Sequence, residues 1–147
     1  QRAECVEFMA DLAREALPTD LMMTTQQLLG LSDAGMEIGG HTATHPILAT
    51  LDREQACQEI RDSKKVLEQK LNQSIRYFAY PNGNPGRDYQ LDQVDLVKEQ
   101  DYEAAVSTTW GVSTQSSDMW QLPRATPWDR TPEKFMLRLA AIYGGLG

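Results

Sequence analysis

The chain has 147 residues, 41% of them apolar, and a formal net charge of −7 with a sequence pI near 4.8. That length and apolar content suit one soluble domain with a real core, and the acidity disfavours nucleic acid or an anionic membrane as partner, since either would repel the surface at long range. Two cysteines, Cys5 and Cys57, can form one bond at most and fix no compartment; no run of 18 apolar residues exists, and Gln1-Arg2-Ala3-Glu4 lacks a signal peptide's apolar segment.

Cys5, Phe8, Met9, Leu12, Ala16 and Leu17 recur at three and four, which predicts an amphipathic helix that Pro18 helps to end. Thr24 or Thr25 caps a second helix running through Leu28 and Leu29 and stopping near Gly35, and a strand follows over Met36 to Gly39. Asp52, with Gln55 three places on, resembles a capping box for a long helix. Its Ala56, Ile60, Leu67 and Leu71 share one face, while Arg61, Lys64, Lys65 and Glu68 stay in water. Ile75 to Tyr80 reads as a strand, and residues 81–89 as a Pro/Gly-rich loop.

Leu91, Val94 and Val97 then suggest a helix, and Tyr102 to Ser107 a strand with Ala104 and Val106 alternating. Residues 113–118 are polar and turn-like, and a strand lies near Gln121 to Ala125. Thr131-Pro132 starts a last helix carrying Phe135, Leu139 and Ile142, closed by Gly144-Gly145. No repeat or linker interrupts the alternation, which implies a single α/β domain with mainly parallel strands.

The only two histidines fall four apart, in Gly39-Gly40-His41-Thr42-Ala43-Thr44-His45-Pro46. On one helical turn, imidazoles at i and i+4 point the same way and can grip a single metal ion; the bland alternative is two unrelated histidines in a turn. Their place at a strand end, behind two glycines that leave the backbone bare, is where βα units put ligands. Thr42 stands where a zinc peptidase helix carries its glutamate base, which argues against a peptidase.

With Arg76-Tyr77-Phe78-Ala79-Tyr80-Pro81-Asn82-Gly83 added, the chain resembles the polysaccharide deacetylases, the NodB-homology domain of carbohydrate esterase family 4. That family has H-[S/T]-x-x-H for its metal, then a long helix and a strand ending in an aromatic, proline and glycine turn. Motif-level likeness runs from about Gly35 to Gly83, and more weakly to Arg124. The resemblance implies part of a distorted (β/α) barrel and a divalent metal on His41 and His45, Zn²⁺ first, with Ni²⁺ or Co²⁺ able to take the same ligands. It further implies an oxyanion-binding main-chain N–H at Asn82 and a substrate-binding aromatic at Tyr80, although buried core is the default for any one aromatic.

The departures carry equal weight. Nothing before His41 matches the family's Phe-Asp-Asp motif, which supplies the base and a metal-binding aspartate, so the chain reads as a partial domain. Ala79 stands where many members have arginine; Arg76 serves instead only if it faces the site with Phe78 and Tyr80. The late Leu-x-His motif appears as Leu122-Pro123-Arg124, with no histidine left for it, and bacterial exopolysaccharide deacetylases with altered late motifs are the nearer subset. Asp88 and Asp129 are loop carboxylates that either substitute for the missing acid or base or simply make surface pairs, and Trp110, Trp120 and Trp128 are left unassigned. The resemblance thus implies metal-dependent removal of acetyl groups from an N-acetylated polysaccharide or oligosaccharide. The alternative is a non-catalytic carbohydrate-binding or structural relative that keeps the histidine pair. Oligomeric state and compartment have no signature in these residues.

Overall fold

A computed structural model describes Glu4, Phe8, Met9, residues 21–125 and residues 129–144. The chain divides into two compact units, Gln1–Met36 and Glu37–Gly147. In the first, helix α1 (Thr25–Asp33) begins at Thr24, whose hydroxyl accepts the Gln27 N–H at 3.2 Å while the Gln27 side chain accepts the Thr24 N–H at 2.8 Å. This reciprocal cap satisfies two donors that a helix start otherwise leaves bare. Gly35, at φ +83°, ends the helix by letting the N–H groups of Gly35 and Met36 return to the carbonyls of Ser32 and Leu31. No residue of α1 is buried. The helix expected over Cys5 to Leu17 lies outside the described residues apart from Phe8 and Met9, both exposed.

The second unit is built on helix α2 (Arg53–Leu71), strand β1 (Tyr77–Ala79), helix α3 (Leu91–Glu99), strands β2 (Ala104–Trp110) and β3 (Leu122–Arg124), and helix α4 (Pro132–Tyr143). Asp52 caps α2 by accepting the Gln55 N–H at 2.8 Å, and Asn72 closes it in the left-handed conformation that asparagine tolerates. Ala56, Ile60 and Ser63, spaced by four and three, are its buried face. Thr131 caps α4, with Pro132 in the first turn, where a missing N–H costs nothing.

The sheet is parallel, in the order β1-β2-β3, with Phe78 facing Ala105 and Val106 facing Leu122. On the other side of β1, Gly40 makes a parallel bridge to Phe78. The strand expected over Met36 to Gly39 is therefore reduced to this bridge, with Gly40 N–H donating to Tyr77 O and Ala79 N–H to Gly40 O. Spatial order follows chain order without reversal, which is how a barrel winds, whereas a doubly wound sheet reverses at its middle. Parallel strands also end on one edge. His41 follows the Gly40 bridge there, and Tyr80-Pro81, Gly111 and Ala125 follow the ends of β1, β2 and β3.

Buried residues of α2 and α3 join the strands in one cluster around Ile60, Phe78, Tyr80, Tyr89, Val97 and Tyr102. Leu91, expected on the buried face of α3, is 72% exposed, because the inward face is set by Val94, Leu96 and Val97. Two charges expected in water have structural partners. Lys64 donates to the carbonyls of Gln100 and Asp101 at 2.8 Å each, and Glu68 accepts the Ile75 N–H at 3.1 Å. Both satisfy backbone groups at the ends of α3 and near β1 that the sequence pattern of α2 alone does not display.

Candidate functional site

His41 and His45 meet, but not on a helical turn. The segment is a loop in which Thr42 (φ 62°) and His45 (φ 58°) take left-handed backbone, and it folds back so that the ring centroids lie 4.8 Å apart at an interplanar angle of 71°. Two imidazoles bound through nitrogen to one tetrahedral ion at ~2.0–2.1 Å place their centroids about 5 Å apart, so the observed separation suits a shared ion. The expected helical spacing gave the right neighbours through the wrong backbone. Glycine at 40 is what permits the approach to α2: a Cβ there would collide with the Tyr102 hydroxyl.

The His41 ring is fixed by main chain. Its Nδ1 lies 2.7 Å from the carbonyl oxygen of Ala79, and since a carbonyl only accepts, Nδ1 carries the proton and the Nε2 lone pair is left for a metal or a proton. Lost hydration, the largest influence, pulls the His41 pKa below its ordinary 6.5; the Ala79 carbonyl opposes this, and the charges of His45 and Arg124 add to it. The neutral form is thus favoured, which is the form that binds metal.

A proton-NMR titration of the metal-free protein should show His41 titrating with a midpoint below 6.5, against His41 in an unfolded peptide as reference. Because the folded state binds its proton less tightly than the unfolded chain, the stability linked to His41 is full above 6.5 and falls as pH drops through that value toward the lowered folded midpoint. A midpoint at or above 6.5 would refute the assigned environment.

The turn after β1 is sewn to β2. Gly83 N–H donates to Pro81 O at 2.6 Å, Thr108 N–H to Gly83 O at 2.8 Å, and the Thr108 hydroxyl to Asn82 O at 2.8 Å. Asn82 is exposed, with φ 57°, and among the described residues its own N–H has no hydrogen-bond acceptor. Tyr80 requires correction as a substrate-binding aromatic. Its side chain has no exposed surface, stacks on Tyr89 at 3.8 Å and donates its hydroxyl to Trp120 O at 3.0 Å. The alternation of a strand puts it on the same side as Phe78, which is the core side. Burial raises the pKa of both tyrosines, pushing Tyr89 up to about 12.

The remaining candidates separate by contact. Arg76 precedes β1, at the opposite end from Ala79, and pairs with Glu37 at 3.2 Å and Glu103 at 3.8 Å, so it does not replace the arginine missing at 79. Arg124 does reach the site: its Nε donates to Ser107 O at 2.7 Å and its charge acts on His41. Asp88 is buried and held by Arg87 at 3.0 Å and by the Asn84 N–H, and the Arg87 hydrogen bond holds its carboxyl below the usual range. Asp129 is gripped by Arg138, which meets both carboxylate oxygens at 2.7 Å, one as a hydrogen bond and one as an ion pair. Trp110 is 38% exposed with Arg138 over its ring, Trp120 packs against the core, and Trp128 lies outside the described residues.

Three partners of the histidine loop carry no sequence motif: the Ala79 carbonyl, Ser63, and Glu59 on α2. Ser63 Oγ accepts the His41 N–H at 3.1 Å. The spacing of Glu59 and Ser63 by four on a helix that follows the histidines is the one signal that could have pointed to them. Among the described residues, no cluster of three histidine, cysteine or acidic side chains is placed to hold a metal, so the histidine pair stands without a third protein ligand.

Residues 13–105 match the sequence profile of the Polysaccharide deacetylase family. The Bacillus subtilis protein YxkH, which carries the name of a polysaccharide deacetylase, is 26% identical over 102 residues, covering 69% of this chain and 35% of its own length. The fold is shared with the Streptococcus pyogenes deacetylase PplD, solved with acetate, at 24% identity and TM-score 0.74 over 82% of this chain and 51% of that one. It is shared too with a polysaccharide deacetylase from Bacillus cereus at 21% identity and TM-score 0.70, over 83% and 38%. The chain spans about a third of the curated relative and about half of PplD. A profile match over most of its length, carried on a parallel α/β fold with two adjacent histidine rings, places this chain in the polysaccharide deacetylase family.

Proposed function

We propose that His41 and His45 hold one divalent ion, Zn²⁺ first and Ni²⁺ or Co²⁺ as alternates, in a hydrolase that removes acetyl groups from N-acetylated sugars of a polysaccharide or oligosaccharide. The observation that carries this is the 4.8 Å approach of the two rings, with His41 Nδ1 committed to Ala79 O. When bound, such an ion supplies a polarised acyl oxygen and an acidified water. The chain's own residues then orient and stabilise. The Ala79 carbonyl keeps the His41 tautomer, and the Asn82 N–H donates to the oxyanion as it forms, through main chain rather than side chain. Among the described residues, Asp88 and Asp129 are engaged by arginines and Arg124 stands in the late motif, so none of these three serves as the proton donor or acceptor.

The second reading is a carbohydrate-binding relative without catalysis, in keeping with a histidine pair that has no third ligand among the described residues. Acetate release from N-acetylated chito-oligomers by the full-length protein separates them. The hydrolase gives chelator-sensitive release that is lost in His41→Ala, whereas the binding relative gives oligomer binding and no acetate. The 147 residues by themselves should release acetate near background, because proton transfer by a positioned side chain contributes ~10²–10⁴ in rate and neither group is present among the described residues.

A further inference from the structure

We propose that Glu59 is a positioning residue that sets the separation of the two histidines, an inference that rests on the metal reading of that pair. Both of its carboxylate oxygens are committed to the two residues next to each other in the middle of the histidine loop. Oε2 accepts the N–H groups of Ala43 and Thr44 at 2.8 Å each, and Oε1 accepts the Thr44 hydroxyl at 2.7 Å. One turn along the same helix, Ser63 accepts the His41 N–H. Residues i and i+4 of α2 therefore hold the loop at two points from one face.

The loop needs holding. Thr42 and His45 flank the clamped pair in left-handed backbone that non-glycine residues avoid, and in that geometry the amides of Ala43 and Thr44 turn to the same side. A carboxylate collects them through charge-assisted bonds, which are stronger than neutral ones. With Glu59 removed, the loop relaxes toward commoner backbone and the rings lose their shared point.

Glu59→Ala tests this by removing all three acceptor contacts, and the isosteric Glu59→Gln removes only the charge, since its oxygen can still accept both N–H groups while its NH₂ donates to the Thr44 hydroxyl. Zn²⁺ affinity is measured by competition with a chromophoric chelator for the parent chain, Glu59→Gln, Glu59→Ala and the control Glu99→Gln, whose carboxylate pairs with Arg53 on the surface. Loss of an outer partner typically costs 10–100-fold in metal affinity, so Kd should weaken by about that factor in Glu59→Ala, by less in Glu59→Gln, and stay unchanged in Glu99→Gln. In the metal-free chain, the nuclear Overhauser contact between the His41 and His45 rings should be present in the parent and lost in Glu59→Ala. A lower melting temperature with unchanged Kd and a retained ring contact would make Glu59 a structural strut only and overturn the proposal. A parent that binds no Zn²⁺ while keeping the ring contact would overturn the metal reading, and this proposal with it.

Discussion

His45→Asn should weaken Zn²⁺ binding by more than about 100-fold, beyond the range typical of losing an outer partner, because it removes one of the two protein donors that the proposed site has among the described residues. Asparagine rather than alanine is the informative replacement. His45 sits at φ 58°, and asparagine tolerates that region, so the loop keeps its course while the imidazole is gone. Thr42 Oγ1 still accepts the residue-45 N–H, as it does in the parent at 3.1 Å. His41→Ala should be as severe, and both are read by equilibrium competition with a chelator. Binding retained within about twofold in His45→Asn would show that His41 alone carries the ion, and that the 4.8 Å approach of the rings is incidental.

Phe78→Ala should cost roughly 3–5 kcal/mol of folding stability, the range for a buried aromatic truncated in a core. Phe78 is 1% exposed, edge-on to Tyr80 at 5.3 Å and tilted against Tyr102 at 5.2 Å. Its strand is the member of the sheet to which Gly40 attaches, so the cavity would open directly beneath the histidine loop. Urea unfolding of parent and variant measures the loss, and a cost under about 1 kcal/mol would mean that the surrounding aromatics collapse into the space. Against the 5–15 kcal/mol that usually separates folded from unfolded domains, the expected loss is a large share.

What could be read from the sequence was what is written locally. The caps at Thr24, Asp52 and Thr131 lie within three residues of the groups they satisfy, and the buried face of α2 at Ala56 and Ile60 follows helical periodicity. Non-local pairing was not legible. The strand before His41 shrank to a bridge because its pairing comes from β1 alone among the described residues, and no pattern within residues 36–39 reports that. The two histidines are neighbours in space, yet a loop with left-handed backbone at Thr42 and His45, hydrogen-bonded to Glu59 and to the Thr42 hydroxyl, brings them together instead of helical spacing. Tyr80 was misplaced for a reason the sequence did contain. Two residues after an inward Phe78, a strand side chain points inward again.

The anchor of the His41 ring is a peptide oxygen, and this gives the site an unusual mutational profile. Any side chain that fits at position 79 presents the same oxygen 2.7 Å from Nδ1, so exchanging residue types there leaves the tautomer of the ligand untouched. The property is lost only when the path of the backbone changes, for instance when Gly40 and Phe78 cease to lie side by side. A substitution scan that reads side chains one at a time would score Ala79 as dispensable, although its carbonyl fixes which nitrogen of His41 carries the lone pair.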